Sequence, residues 1–336
     1  MYAITIDTGT TNTRVNVWRD NEVVAEAFQP VGVRDTAITG SRQKLTQGVK
    51  TAIEEAMRTA NVKTGDSVVI LASGMITSNV GLYEIPHVPA PAGIQELAAA
   101  MVKAELPEII DQPIWFVPGV KNNVPDLNLD TCETMDIMRG EEVEVVGITQ
   151  KLQLEGPAVL ILPGSHSKVV RIDGDNRITG CMTTIAGELL DVITKQTILA
   201  NALQSSFAGE LEEAVLLKGA AYAEKVGLGR TCFTVRILDM FSDLSINEKA
   251  NFLLGAVLQA DILAVKNSGA LNVTPLLPVV VFGKELLREA LIALIKHDPF
   301  FTGPVHSVGN EHKALAGFGA LAIARERGIL HNAQMA

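Results

Sequence analysis

The chain repeats itself. At a constant offset of 155, residues 3–24 and 158–179 overlie one another without a gap. Ala3 meets Ala158, Ile6 meets Ile161, Gly9 meets Gly164, Val15 meets Val170, Asp20 meets Asp175 and Asn21 meets Asn176, while Val17 and Val23 meet Ile172 and Ile178. Each copy reads as strand, Gly-containing polar turn, strand, Asp-Asn turn, strand. Two such units need two sheets to receive them. A length of 336 residues suits two domains of about 150. The stretch 150–156 is the predicted junction, which gives one unit over 1–153 and another over 154–336.

The rest of the pattern supplies the other layers. In the first unit strands are predicted over 3–7, 13–18, 23–28, 67–72 and 114–117, with helices over 45–60, 94–106 and 132–147 and a proline-rich loop over 86–93. In the second, helices are predicted over 187–203, 209–226, 246–265, 283–296 and 311–327. Further strands are predicted there over 277–282 and 304–308. Strands alternating with helices indicate an α/β class for both units.

Charge and composition remove several functions. The 28 basic and 38 acidic residues leave a net charge of −10, which argues against nucleic-acid or anionic-membrane binding through a basic face. No apolar run approaches the ~18 residues of a membrane span, and the first residues read as a strand rather than a signal peptide. Cys132, Cys181 and Cys232 form no CxxC or zinc pattern and are expected as buried or half-buried thiols. These features predict a soluble, cytoplasmic protein.

The first turn, Asp7-Thr8-Gly9-Thr10-Thr11-Asn12-Thr13-Arg14, is the strongest chemical signal. An acid at the end of a buried strand is costly unless partnered, and a hydrated Mg²⁺ is one such partner. Gly9 permits close approach of a ligand, and the small polar residues leave amides and hydroxyls for phosphate oxygens. Pro163-Gly164-Ser165-His166-Ser167-Lys168 stands at the equivalent place in the second copy. Two facing turns can grip the phosphates of one nucleotide, with Lys168 offsetting charge on a transferred phosphoryl group. His166 also reads as an ordinary turn residue. Ser73, Gly74, Met75 and Asn79 follow a buried strand, where open α/β sheets bind ligands. Ala186-Gly187-Glu188 opens a helix after the second turn and is a candidate to line the phosphate or sugar side, with Glu188 a candidate for the substrate; Glu188 otherwise reads as a first-turn acid favoured by the helix dipole. Gly317-x-Gly319 lies in a helical pattern rather than after a strand, so it is not a dinucleotide fingerprint.

Several of these stretches together resemble a known family. The Asp-x-Gly-Thr-Thr turn is similar to the first phosphate motif of the sugar kinase, hexokinase, Hsp70 and actin superfamily. Ser73-Gly74-Met75, the loop over 86–93, Pro118-Gly119-Val120-Lys121, Asp136-Ile137-Met138-Arg139-Gly140-Glu141-Glu142 and the Pro-Gly-Ser-His-Ser-Lys turn resemble the 2-dehydro-3-deoxygalactonokinases. Ser165 stands where that family has Thr, which keeps the hydroxyl.

The resemblance implies two duplicated actin-like ATPase (ribonuclease H-like) domains closing over ATP and Mg²⁺ in an interdomain cleft. It implies phosphorylation of 2-dehydro-3-deoxy-D-galactonate at its 6-hydroxyl, with another sugar or sugar-acid kinase, or a nucleotide-switch ATPase, as the alternative. It implies Asp136 as the base, at the start of the last helix of the first unit. Asp126 and Asp130 are rivals, and an N-cap role is the plainer reading. It also implies Arg139 for the substrate carboxylate (or an exposed ion pair), Ser73, Gly74, Met75 and Asn79 for the sugar acid, and a Gly283 turn for the adenosine.

Overall fold

The computed structural model describes residues 1–309 and 314–330. The first half runs β1 (Tyr2–Thr8), β2 (Thr13–Arg19), β3 (Glu22–Gln29), α1 (Val33–Thr39), α2 (Gln43–Thr59), β4 (Val68–Gly74), β5 (Val88–Pro89), α3 (Ile94–Ala100), β6 (Val102–Leu106), β7 (Ile110–Phe116), β8 (Val120–Lys121), β9 (Ile137–Met138) and α4 (Glu141–Lys151). The second runs β10 (Ala158–Leu162), β11 (Ser167–Ile172), β12 (Ile178–Thr184), α5 (Ala186–Gln196), α6 (Glu213–Val226), α7 (Leu228–Phe241), α8 (Ile246–Asn267), β13 (Val279–Phe282), α9 (Glu285–His297), β14 (Val305–Val308) and α10 (Leu315–Glu326).

The two large sheets share a plan. One has the order β3-β2-β1-β4-β7-β6, the other β12-β11-β10-β13-β14. Each opens with an antiparallel three-strand meander whose first strand pairs in parallel with a later strand. Asn21 (φ 69°) and Asn176 (φ 59°), matched by the repeat, both take the left-handed conformation, which asparagine tolerates better than most residues. A small third sheet, β5-β8-β9, forms an arm of the first half.

Strand alternation assigns the faces. Ile4 and Ile6 of β1 pack outward on α2 residues such as Ile53. Val159 and Ile161 of β10 pack outward on α8 and α9. Ala3 and Leu160, on the inner faces, share one central core with α4 and α10. Asp7 has the parity of Ala3, so it points inward, between the sheets.

α10 belongs to this central layer. The repeat assigns its residues to the second unit, yet α10 packs on α4 of the first. Glycines allow the crossing: a Cβ on Gly319 would lie 1.8 Å from the Val143 carbonyl oxygen, and one on Gly147 2.2 Å from that of Leu315. The expected start of this helix, 311–313, lies outside the described residues.

Other boundaries also differ from expectation. The helix predicted over 94–106 ends at Ala100, and Val102–Leu106 is an edge strand with apolar residues alternating with Lys103 and Glu105. The helix predicted from 132 begins at Glu141, because Gly140 (φ 124°) turns the backbone there. Those predicted from 187 to 203 and from 209 stop at Gln196 and start at Glu213. α1 and α7 have no counterpart in the predicted pattern. Cys181 is buried and Cys232 half-buried, but Cys132 is exposed on the polar loop before β9. Among the described residues no helix is long and apolar enough to cross a membrane.

Candidate active site

The first turn is built on β1 and β4. Asp7 stands opposite Arg14 in the β1–β2 register, with 3.8 Å between carboxylate and guanidinium. Gly74 (φ 84°) closes β4 beside it; a Cβ there would lie 2.6 Å from the Thr8 carbonyl oxygen and 3.1 Å from Asp7 Oδ1. The Gly9 amide donates to the Asn12 carbonyl at 2.9 Å, closing the turn. Gly32 lets the turn seat on the start of α1, since its Cβ would lie 2.4 Å from the Thr10 backbone. Thr8 and Thr13 are buried, and Thr13 donates to the Val31 carbonyl. Thr10 and Thr11 are exposed, and among the described residues nothing accepts from their amides.

The second turn joins β10 to β11 and rests on the N-terminus of α5. A Cβ on Gly187 would sit 2.2 Å from the Gly164 carbonyl oxygen, so only glycine permits this approach. The Glu188 amide donates to the Ser165 carbonyl at 3.1 Å, and the Glu188 carboxylate pairs with His166 Nε2 at 3.1 Å. Gly283 (φ 129°) lies against Pro163. Ser165 and His166 are exposed; Ser167 and Lys168 are buried. Lys168 Nζ donates to the Ile137 carbonyl at 2.8 Å and to the Thr183 hydroxyl.

Both turns open on one cleft. A cavity of about 320 Å³ is lined by Asp7, Gly9 and Thr10 from the first turn, His166 and Lys168 from the second, and Met75, Glu141, Glu144 and Thr183 between them. A second cavity, about 650 Å³, runs from Gly164, Ser165, Gly187 and Glu188 to Phe207, Leu254 and Leu287. A third, about 560 Å³, lies behind Asp7 and is lined by Arg14, Ser73, Glu144 and Gly283.

Not every expected residue faces the cleft with a free group. Asn79 is exposed, and its carbonyl accepts from Arg42 at 3.0 Å. Arg139 lines the cavity, but its guanidinium donates to the Thr77 and Ile85 carbonyls at 2.7 and 3.1 Å and meets His87 Nδ1 at 3.1 Å. Burial, and then that guanidinium, push His87 down to about 4. Asp136 is outside the lining. Its carboxylate accepts from the Ile137 amide (2.6 Å), the Thr183 amide (2.6 Å) and the Thr183 hydroxyl (2.8 Å). It stands before β9 rather than at the α4 N-cap, which is Gly140. Asp126 and Asp130 are exposed in the preceding loop.

Sequence reasoning missed Glu144 and Thr183, and gave Glu141 no role of its own. Glu141 and Glu144 are three residues apart on α4, hence on one helix face. Among the described residues no hydrogen bond engages the Glu144 carboxylate. Burial, then Asp7 and Glu141, push it up to about 8. Burial also raises Asp7, against the pull of Arg14. A divalent cation on Asp7 would offset the repulsion between the two carboxylates. Among the described residues no three His, Cys, Asp or Glu side chains form a metal cage. Mg²⁺ needs none, because it is held by one or two carboxylates, water and phosphate oxygens.

The chain resembles known proteins. The family described as 2-keto-3-deoxy-galactonokinase matches residues 7–300. The chain belongs to this family. The probable 2-dehydro-3-deoxygalactonokinase of Rhizobium meliloti is 29% identical over 203 residues, spanning 60% of this chain and 59% of that protein's length. A candidate 2-dehydro-3-deoxygalactonokinase from Sinorhizobium meliloti has the same fold, with a TM-score of 0.73 at 23% identity over 96% of this chain and 98% of that one. Component A of the (R)-2-hydroxyglutaryl-CoA dehydratase from Acidaminococcus fermentans follows at a TM-score of 0.50 and 14% identity, covering 97% of this chain and 99% of that one. The chain thus has a two-domain α/β, actin-like fold.

Proposed function

We propose that this chain transfers the γ-phosphoryl group of ATP to the 6-hydroxyl of 2-dehydro-3-deoxy-D-galactonate, giving the 6-phosphate and ADP. One observation carries the reading: Asp7, Gly9 and Thr10 of the first turn and His166 and Lys168 of the second line a single cavity. Family membership supports the substrate class.

The parts divide as follows. The 650 Å³ cavity beside Gly187 receives the nucleoside. The amides of Thr10, Thr11, Ser165 and His166 bind phosphate oxygens. Asp7 would hold Mg²⁺, with water and phosphate oxygens completing its shell, and the ion would offset charge on the β- and γ-phosphates. Lys168 meets the transferred group. The sugar acid lies beside Met75 and Gly74. Glu144, a cleft carboxylate that has neither a hydrogen bond nor an ion pair among the described residues, takes the hydroxyl proton as the new phosphorus–oxygen bond forms. Burial raises its proton affinity above the ordinary carboxylate range, which suits a base working near neutral pH.

The test is ADP release across a panel of keto-deoxy sugar acids and ordinary hexoses. Turnover that depends on the sugar acid is expected. ATP hydrolysis at the same rate with and without every acceptor would remove the kinase reading and leave a nucleotide-switch ATPase.

A further inference from the structure

We infer that Asp136 is a positioning residue, which holds Lys168 in place at the cleft from across the junction between the two halves. The inference rests on the reading of the cleft as a phosphate site.

Lys168 and Thr183 are cross-strand partners on β11 and β12, in the second half. Asp136 and Ile137 precede and open β9, in the first. The Lys168 ammonium is buried, and a buried ammonium requires both acceptors and a counter-charge. The Ile137 carbonyl and the Thr183 hydroxyl supply the acceptors. The Asp136 carboxylate, 3.9 Å away, supplies the charge. A hydroxyl has one proton to give. Thr183 accepts from Lys168, so its own proton goes to Asp136 Oδ1 at 2.8 Å, and the order Lys168–Thr183–Asp136 is fixed.

This arrangement suits a strut better than a base. Both Asp136 oxygens are occupied, Oδ2 by the Thr183 amide and Oδ1 by the Thr183 hydroxyl and the Ile137 amide. Three of the four lone-pair sites of the carboxylate therefore already accept a donor, and Oδ1 has none left. Lys168, in contrast, spends two of its three N–H groups in the strut and still lines the cavity that contains Asp7 and Gly9. The surrounding junction is stiff. Ala92 and Ile178 exchange backbone hydrogen bonds of 2.9 and 2.8 Å between the arm and β12, and Asn122 bonds both the amide and the carbonyl of Cys181 at 2.8 Å. The ammonium therefore reaches its place only when the halves are docked along β12.

The experiment is a double-mutant cycle on ATP turnover, measured with and without the sugar acid. Lys168→Met should lower kcat about 100-fold, as loss of a charge-stabilising donor does, with the KM of the acceptor unchanged. Asp136→Asn should lower kcat by at least ~10-fold, and the double variant should fall within about twofold of Lys168→Met alone. Both single variants should also weaken ATP binding relative to ADP by about 10-fold, a readout that needs no turnover. Asp136→Asn should keep the acid limb of the pH–rate profile. Losses that multiply in the double variant, an unchanged ATP-to-ADP affinity ratio, or disappearance of the acid limb in Asp136→Asn would each overturn the inference. Sugar-acid dependence in the wild type is scored separately and bears only on the proposed substrate.

Discussion

Glu144 shows how burial rather than residue type marks a reactive group. Three acids, Glu141, Glu142 and Glu144, crowd the first turn of α4, where the helix dipole alone would explain them. The fold separates them. Glu142 turns into the core and accepts from the Gly140 amide at 2.8 Å, Glu141 accepts from the Arg139 amide at 3.1 Å, and Glu144 opens on the cleft without a partner. Glu144→Gln should cut kcat by about 10²–10⁴-fold while ATP affinity is largely kept. Activity of the wild type should rise with pH through an apparent value above the ordinary carboxylate range, because burial raises Glu144 and the base must be ionised, and that limb should vanish in the variant. Near-normal turnover of Glu144→Gln would return the search to Glu141. Asp7 was legible in the sequence because a strand end and a glycine turn are local features. Glu144 was not, because nothing local distinguishes it from its neighbours. Asp136 is hard to place from sequence for a related reason: the helix it is expected to open starts only at Glu141.

The element that carries these acids stores a pH dependence. Glu142 is fully buried, and burial followed by Glu141 raises it from 4.5 to about 8. Between these values the folded chain retains a proton that the unfolded chain has released, so stability falls as pH rises across that interval and levels off above it. The size is on the order of a few kcal/mol, at about 1.4 kcal/mol for each pH unit that separates the two values. Glu142→Gln removes the proton from the balance. Denaturation midpoints at pH 5 and pH 8.5 should therefore differ less in this variant than in the wild type, and equal differences would show that Glu142 titrates normally. The start of α4 was unreadable in advance because residues 132–139 are compatible with helix, whereas in the fold Ile137–Met138 pairs with β8 and Gly140 (φ 124°) turns the backbone. In β6 the reverse holds, since Val102, Ala104 and Leu106 follow a strand period that a helical pattern upstream conceals.

At the scale of the whole molecule, the repeat foretold two sheets of one plan and the turns between their strands. It could not foretell what joins them, because each junction pairs residues that have no counterpart in the other copy. The arm β5-β8-β9 docks on β12, and α10 returns to lie on α4. Both joints rest on contacts between residues far apart in sequence, where loop closure rather than local propensity decides the outcome. Asn122 tests the first joint. Its side chain donates to the Thr134 and Cys181 carbonyls at 2.9 and 2.8 Å and accepts from the Cys181 amide at 2.8 Å. Asn122→Ala strands these groups in a buried setting, where each unmet partner costs about 1–3 kcal/mol. Part of that cost is recovered if the arm loosens and admits water. The expected outcome is a loss of roughly 2–4 kcal/mol in chemical denaturation, with faster amide exchange at Cys181 than at Ile161 in the middle of the second sheet. If the midpoint stays put and Cys181 exchanges as slowly as before, the arm is held by its main chain alone, and the Ala92–Ile178 bridge becomes the joint that fixes the width of the cleft.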